Sequence, residues 1–98
     1  MGIENRVALI TGSASGMGKQ TAQRLAERGA AVVINDIDAT KVRSTVEEFK
    51  QKGLRASGAV ADISRADAVA EMIEQVTTTF GQVDILVNNA GLEKAGAL

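Results

Sequence analysis

The sequence predicts an α/β fold: a doubly wound parallel sheet in a three-layer α/β/α arrangement, with strand order 3-2-1-4. Two features of the pattern lead there. Short apolar runs alternate with longer stretches of helical periodicity in the order strand, helix, strand, helix, strand, helix, strand. The runs are apolar throughout, as expected of strands covered on both faces, and do not alternate with polar residues. In such a fold the crossovers are right-handed and the first strand is interior. Ligand binds beyond the carboxyl ends of the strands, where the strand order reverses.

Val7-Ala8-Leu9-Ile10 is the first strand, and it ends in the small-residue turn Thr11-Gly12-Ser13-Ala14-Ser15-Gly16-Met17-Gly18. From there to about Arg28 good helix formers dominate, with Met17, Thr21, Ala22 and Leu25 at helical spacing, and Gly29 ends the helix. The second run, Ala31 to Asn35, delivers Asp36 at its carboxyl end. Asp38 suits the N-cap of a helix reaching about Lys52, with Val42, Val46 and Phe49 as its buried stripe and Gly53 as its stop. The third strand, Ala56 to Ala61, is the least marked, because Val60 is its one strong strand former. Ser64-Arg65-Ala66-Asp67 fits a capping box ahead of a third helix, whose stripe is Val69, Met72, Ile73, Val76 and Phe80. Gly81 closes that helix, and the fourth strand, Val83 to Val87, runs into Asn88-Asn89-Ala90-Gly91.

Composition narrows the chemistry. Ninety-eight residues make one domain, and 11 basic against 12 acidic residues leave a net charge of −1. That balance gives no electrostatic footprint for nucleic acid or an anionic membrane. The chain has no cysteine, histidine, tryptophan, tyrosine or proline. A Ser-His-Asp triad, His-based zinc sites, thiol nucleophiles and a phenolic general acid are therefore excluded within these residues. Proton transfer would fall to Asp, Glu or Lys. No stretch approaches the roughly 18 apolar residues of a membrane span, and Met1-Gly2-Ile3-Glu4-Asn5-Arg6 is unlike a secretory signal, so a cytoplasmic location is expected.

Four groups of residues at the carboxyl ends of the strands carry candidate chemistry. In Gly12-x-x-x-Gly16-x-Gly18, Gly12 can take a turn that a Cβ would obstruct, Gly16 admits a pyrophosphate close to the backbone, and Gly18 permits tight packing of helix on strand. The helix start offers unpaired amides and partial positive charge to phosphate oxygens, and Ser13 and Ser15 add hydroxyl donors. The bland alternative is a Gly/Ser turn without ligand. Asp36, eighteen residues beyond Gly18 and followed by Ile37, can accept both hydroxyls of an adenosine ribose and would repel a 2′-phosphate; the alternative is a cap for the next helix. Asp62 could accept from an adenine amine while Ile63 packs on the base, or could be a plain loop residue. In Asn88-Asn89-Ala90-Gly91, one amide can bond backbone and the other ligand; otherwise it is a polar turn. The remaining ionisable groups read as solvated: Glu47, Glu48, Glu71 and Glu74 on outer faces, Glu27 paired with Arg24 or Arg28, and Lys19 in solvent unless it meets a phosphate.

Together these residues resemble the short-chain dehydrogenase/reductase family, and the likeness spans essentially the whole chain. Thr11 to Gly18 looks like the family's TGxxxGxG loop, with Met17 where isoleucine is more usual. Asp36 matches its acidic NAD discriminator, Asp62 its adenine-contacting aspartate, and Asn88 to Gly91 its NNAG element. The resemblance implies a Rossmann-type fold and hydride transfer between NAD(H), with NADP less favoured, and an alcohol/ketone pair. It assigns cofactor binding to Gly12, Ser13, Ser15, Gly16, Met17, Gly18, Asp36, Ile37, Asp62, Ile63, Asn89, Ala90 and Gly91.

The family's Tyr-x-x-x-Lys pair and its catalytic Ser lie downstream of NNAG, and this chain has neither that tyrosine nor the length to hold them. The expectation is a fold truncated after the fourth strand, able to bind cofactor but not to turn it over. Its fourth strand would be left as a bare edge that promotes self-association. Two other readings are a non-catalytic paralogue acting as an assembly module and an S-adenosylmethionine-dependent transferase. The transferase usually has G-x-G-x-G spacing and leaves NNAG unexplained.

Overall fold

A computed structural model describes residues 2–89. Its elements are β1 (Val7–Ile10), α1 (Gly16–Glu27), β2 (Ala31–Asp36), α2 (Ala39–Gln51), β3 (Ala56–Val60), α3 (Ala66–Phe80) and β4 (Ile85–Val87). The sheet runs β3-β2-β1-β4 with every pairing parallel, the order that the alternating pattern predicts.

β1 and β2 occupy the interior, so their apolar runs are buried on both sides. Ala8, Ile10, Val32 and Ile34 share one cluster with Ala22 and Ala26 of α1 and Val42 and Phe49 of α2. Val7, Leu9 and Val33 form a second cluster with Met72 and Val76 of α3. The two helical layers thus come from strict alternation of side chains along the same strands.

β3 owes its faint sequence signal to packing. A Cβ on Gly58 would come within 2.6 Å of Val42 Cγ1, so α2 lies too close to this strand for larger residues. A residue without a side chain at Gly58 is what the helix above it requires.

Three local expectations need correction. α1 starts at Gly16, and its core-facing line is Gly18, Ala22 and Ala26, while Met17 is 56% exposed. Small residues four apart let the helix axis approach the sheet, which rotates Met17 outward. The Ser64 capping box does not form. Arg65 occupies the N-cap position without a side-chain cap, and Ser64 donates from its amide and hydroxyl to Asp62 Oδ1 at 3.0 and 2.6 Å. The Asp62 turn claims Ser64 before the helix begins. β4 is shorter than the apolar run because Asp84 is drawn to the start of β1: its amide donates to Val7 O at 2.9 Å and its Oδ2 accepts from Val7 N at 2.8 Å.

Asp38 caps α2 as expected, accepting from the amides of Thr40 and Lys41 at 3.0 and 3.1 Å. Among the described residues, no helix is long and apolar enough to cross a membrane.

Candidate functional site

Because the strands are parallel, the loops that follow them meet along one edge of the sheet. The loop after β1 is held from beneath. Gly12 and Gly16 adopt φ of 61° and 60°, left-handed values that favour glycine. Ser13, expected to offer its hydroxyl to a ligand, is fully buried. Its hydroxyl donates to Ile10 O at 2.7 Å and accepts from Asn35 N at 3.0 Å, while its amide donates to Asn35 O at 2.7 Å. Ser13 is therefore a structural peg, since both roles of its hydroxyl are taken. Ala14 O accepts from Thr45 Oγ1 of α2 at 3.0 Å, a second peg.

The outer side of the loop differs. Ser15 is exposed and extended (φ −161°, ψ 169°) at the N-cap of α1, and its side chain makes no capping bond. Helix geometry leaves the first-turn amides without intrahelical acceptors, and the helix dipole adds partial positive charge at the same place. An anion is the chemistry that complements such an end.

Gly18 brings this helix end to the sheet. A Cβ here would collide with the Gly12 carbonyl oxygen and lie 2.6 Å from Asn89 Nδ2. Asn89 is buried and donates from Nδ2 to Gly12 O at 3.2 Å. Beside it, the Thr11 hydroxyl donates within 3.3 Å of Val87 O and Asn88 Oδ1. The loops after β1 and β4 are thus joined, with Asn89 making the backbone contact expected of one amide of the pair. Ala90 and Gly91, also expected at the site, lie outside the described residues.

Asp36 closes β2 and is half-buried; its Oδ1 accepts from Ile37 N at 2.9 Å. It does not cap α2, a task that falls to Asp38. Ile37 is 63% exposed. Asp62 is tied to Ser64, and Ile63 packs beside the Val33–Met72 cluster. A groove of about 250 Å³ opens on this edge, with Thr11, Ile63 and Asn88 on one side and Met72, Ile73 and Leu86 beyond.

Asn35 does not stand out in the sequence pattern. It is buried, its Oδ1 accepts from Gly12 N at 3.3 Å, and its Nδ2 donates to Ala59 O and Ala61 O at 3.0 and 3.3 Å. A polar residue closing an otherwise apolar strand run was the available signal. Thr45 and Asp84 are equally inconspicuous in the sequence.

The outer charges are also more engaged than expected. Lys19 pairs with Glu48 at 2.7 Å, and Lys52 reaches the other Glu48 oxygen at 3.2 Å. The Lys19 and Lys52 hydrogen bonds hold the Glu48 carboxyl below the ordinary 4.5. Glu48 thus links α2 to the start of α1, whereas Glu27 accepts from Gln23 and not from an arginine.

The family profile described as short chain dehydrogenase matches residues 6–98. The chain belongs to the short-chain dehydrogenase family. Among its relatives is (2S)-[(R)-hydroxy(phenyl)methyl]succinyl-CoA dehydrogenase subunit BbsD of Thauera aromatica, 70% identical over all of this chain and 40% of the relative. A diacetyl reductase of Staphylococcus epidermidis is 42% identical over 91% of this chain and 35% of its own length. The chain therefore spans about two-fifths or less of these short-chain dehydrogenases.

Solved family structures agree with the fold. A 7α-hydroxysteroid dehydrogenase complexed with NADH and 7-oxo glycochenodeoxycholic acid superposes with a TM-score of 0.84 at 35% identity, covering 88% of this chain and 34% of that one. L-sorbose reductase from Gluconobacter frateurii, complexed with NADPH and L-sorbose, gives 0.83 at 34% identity, covering 88% and 33%.

Proposed function

We propose that residues 1–98 form a single dinucleotide-binding unit of an oxidoreductase that passes hydride between NAD(H) and an alcohol/ketone pair. The observation that carries this reading is the Gly18 contact, which leaves no room for a Cβ and seats the uncapped start of α1 on the sheet edge. There Ser15, Gly16, Met17 and Gly18 present backbone and one hydroxyl to a diphosphate, Gly12 makes the turn with its amide held by Asn35 and its carbonyl by Asn89, and Ser13 braces the loop from behind. Asp36 receives the two ribose hydroxyls, Ile37, Asp62 and Ile63 border the adenine, and Asn89, Ala90 and Gly91 border the other half. The bound nicotinamide supplies the hydride donor or acceptor. This chain's residues bind and orient it.

NAD is assigned over NADP because the Asp36 carboxylate would face a 2′-phosphate with like charge. Equilibrium titration with NADH and NADPH tests the assignment. Asp36→Ala is expected to weaken NADH about tenfold, the worth of charge-assisted hydrogen bonds to the ribose. Tighter binding of NADPH than NADH by the unaltered chain would overturn it, and absence of any dinucleotide binding would favour the assembly-module reading.

Residues 1–98 alone are proposed to bind without turnover, since they hold no tyrosine to serve as proton donor. For the whole protein, the 70% identity with BbsD supports a secondary alcohol carried on a coenzyme A thioester as substrate. Reduction of NAD⁺ by such a thioester, but not by its free acid, is the corresponding assay. Self-association through β4, where Leu86 is 60% exposed, belongs to the same proposal for the isolated chain.

A further inference from the structure

Asn35 is buried beneath the surface assigned above to ligand, yet its side chain bonds the segments that carry that surface. We propose that Asn35 is a positioning residue that holds the glycine loop and the loop after β3 at fixed spacing, so that the diphosphate and the adenine of one dinucleotide are met together. The inference rests on the dinucleotide site proposed above.

A primary amide offers one acceptor oxygen and two donor hydrogens. Asn35 uses all of them across two segments: Oδ1 accepts from Gly12 N, and Nδ2 donates to Ala59 O and Ala61 O. Its main chain adds the Ser13 bracket, with Asn35 N donating to Ser13 Oγ and Asn35 O accepting from Ser13 N. Ala61 directly precedes Asp62-Ile63, and Gly12 opens the glycine loop. One side chain thus links the residues assigned to the diphosphate with those assigned to the base.

Burying an amide at the end of an apolar strand is unfavourable unless its hydrogen bonds are made, and a valine or leucine would serve packing alone. The chemistry is also specific to asparagine. Aspartate keeps the acceptor for Gly12 N but turns a carboxylate toward the Ala59 and Ala61 carbonyl oxygens. Serine has a single hydroxyl and a shorter reach.

The test uses the full chain as its source produces it, with Asn35→Asp as the near-isosteric variant and Asn35→Leu as a second. NADH and adenosine are titrated by calorimetry, and amide hydrogen exchange is followed without ligand. NADH is expected to weaken about tenfold in Asn35→Asp at unchanged stoichiometry, while adenosine, which has no phosphate to reach the glycine loop, weakens less than about threefold. Exchange is expected to quicken together over residues 11–14 and 61–63 in both variants and to stay unchanged over 7–10. Unaltered NADH affinity in the folded variant overturns the proposal. So does a fall in binding stoichiometry at constant Kd, the mark of a purely structural role. If the unaltered chain binds neither NADH nor adenosine, the dinucleotide site itself fails, and this inference with it. That result differs from failure of Asn35 alone, in which the unaltered chain and the variant bind alike.

Discussion

On one face of the sheet Ile10 and Ile34 are sealed beneath α1 and α2, with Phe49 of α2 packed down on them, whereas on the other Leu86 stands 60% exposed beside α3. The register pairs Leu86 with Leu9, so Leu86 continues the face that α3 covers, but the α3 cluster takes in Leu9, Val33 and Ala59 and leaves Leu86 outside it. The first face is a finished layer: two helices, small residues at the close approaches, and polar pegs from Thr45 and Ser13. The second, among the described residues, has one helix and a smaller cluster, and the groove lies at its open end. The more finished half of the molecule is the half that supports the candidate phosphate loop. Rigidity is placed where an anion would have to be met by fixed amides.

The comparison breaks if the second face proves as consequential as the first. Phe49→Ala is expected to cost about 3–5 kcal/mol, and Met72→Ala on the α3 side nearer 2, both read from urea unfolding. Equal losses would mean that the α3 face is as well packed as its opposite. Gly18→Ala should cost about 1–3 kcal/mol by overpacking and weaken NADH more than tenfold, because the added methyl pushes α1 off Gly12 and Asn89. Intact binding in that variant would detach the close approach from function. Leu86→Glu should change stability by less than about 0.5 kcal/mol while shifting sedimentation of the isolated chain toward monomer. A destabilisation of core size would show that Leu86 is covered in solution.

The smallest effect is at Glu48. Its folded carboxyl is held below 4.5 by Lys19 and Lys52, so its contribution is present above pH 4.5 and lost as pH falls through the lower folded value. Unfolding midpoints of the unaltered chain and Glu48→Gln should differ slightly near neutrality and converge in acid. A gap that persists at about pH 2 would remove the ion pairs as its cause.

The same contrast explains what could be read from sequence. Interior parallel strands must be apolar on both sides, so β1 and β2 announce themselves, and the order 3-2-1-4 follows from strand and helix alternation. β3 hides because the residues that let α2 approach are poor strand formers. At the site, glycines and Asp36 are legible because backbone geometry and charge demand particular residue types. Ser13 and Asn35 are not, because a hydroxyl that serves a ligand and one that serves the neighbouring strand look alike until the chain is folded. The Ser64 pattern misled for a related reason: two short-range arrangements compete for one serine, and Asp62 holds it.

β4 has only three residues in the ladder, too few for pairing alone to choose a register. Its two ends are fastened by polar side chains: Asp84 clasps the first amide of β1, and Thr11 meets Val87 and Asn88 at the far end. A slip of one residue would undo both clasps at once. The carboxylate at the bottom of the strand therefore acts as a measuring stop for the amides at its top, fixing how far Asn89 reaches toward Gly12 from a point a whole strand's length away.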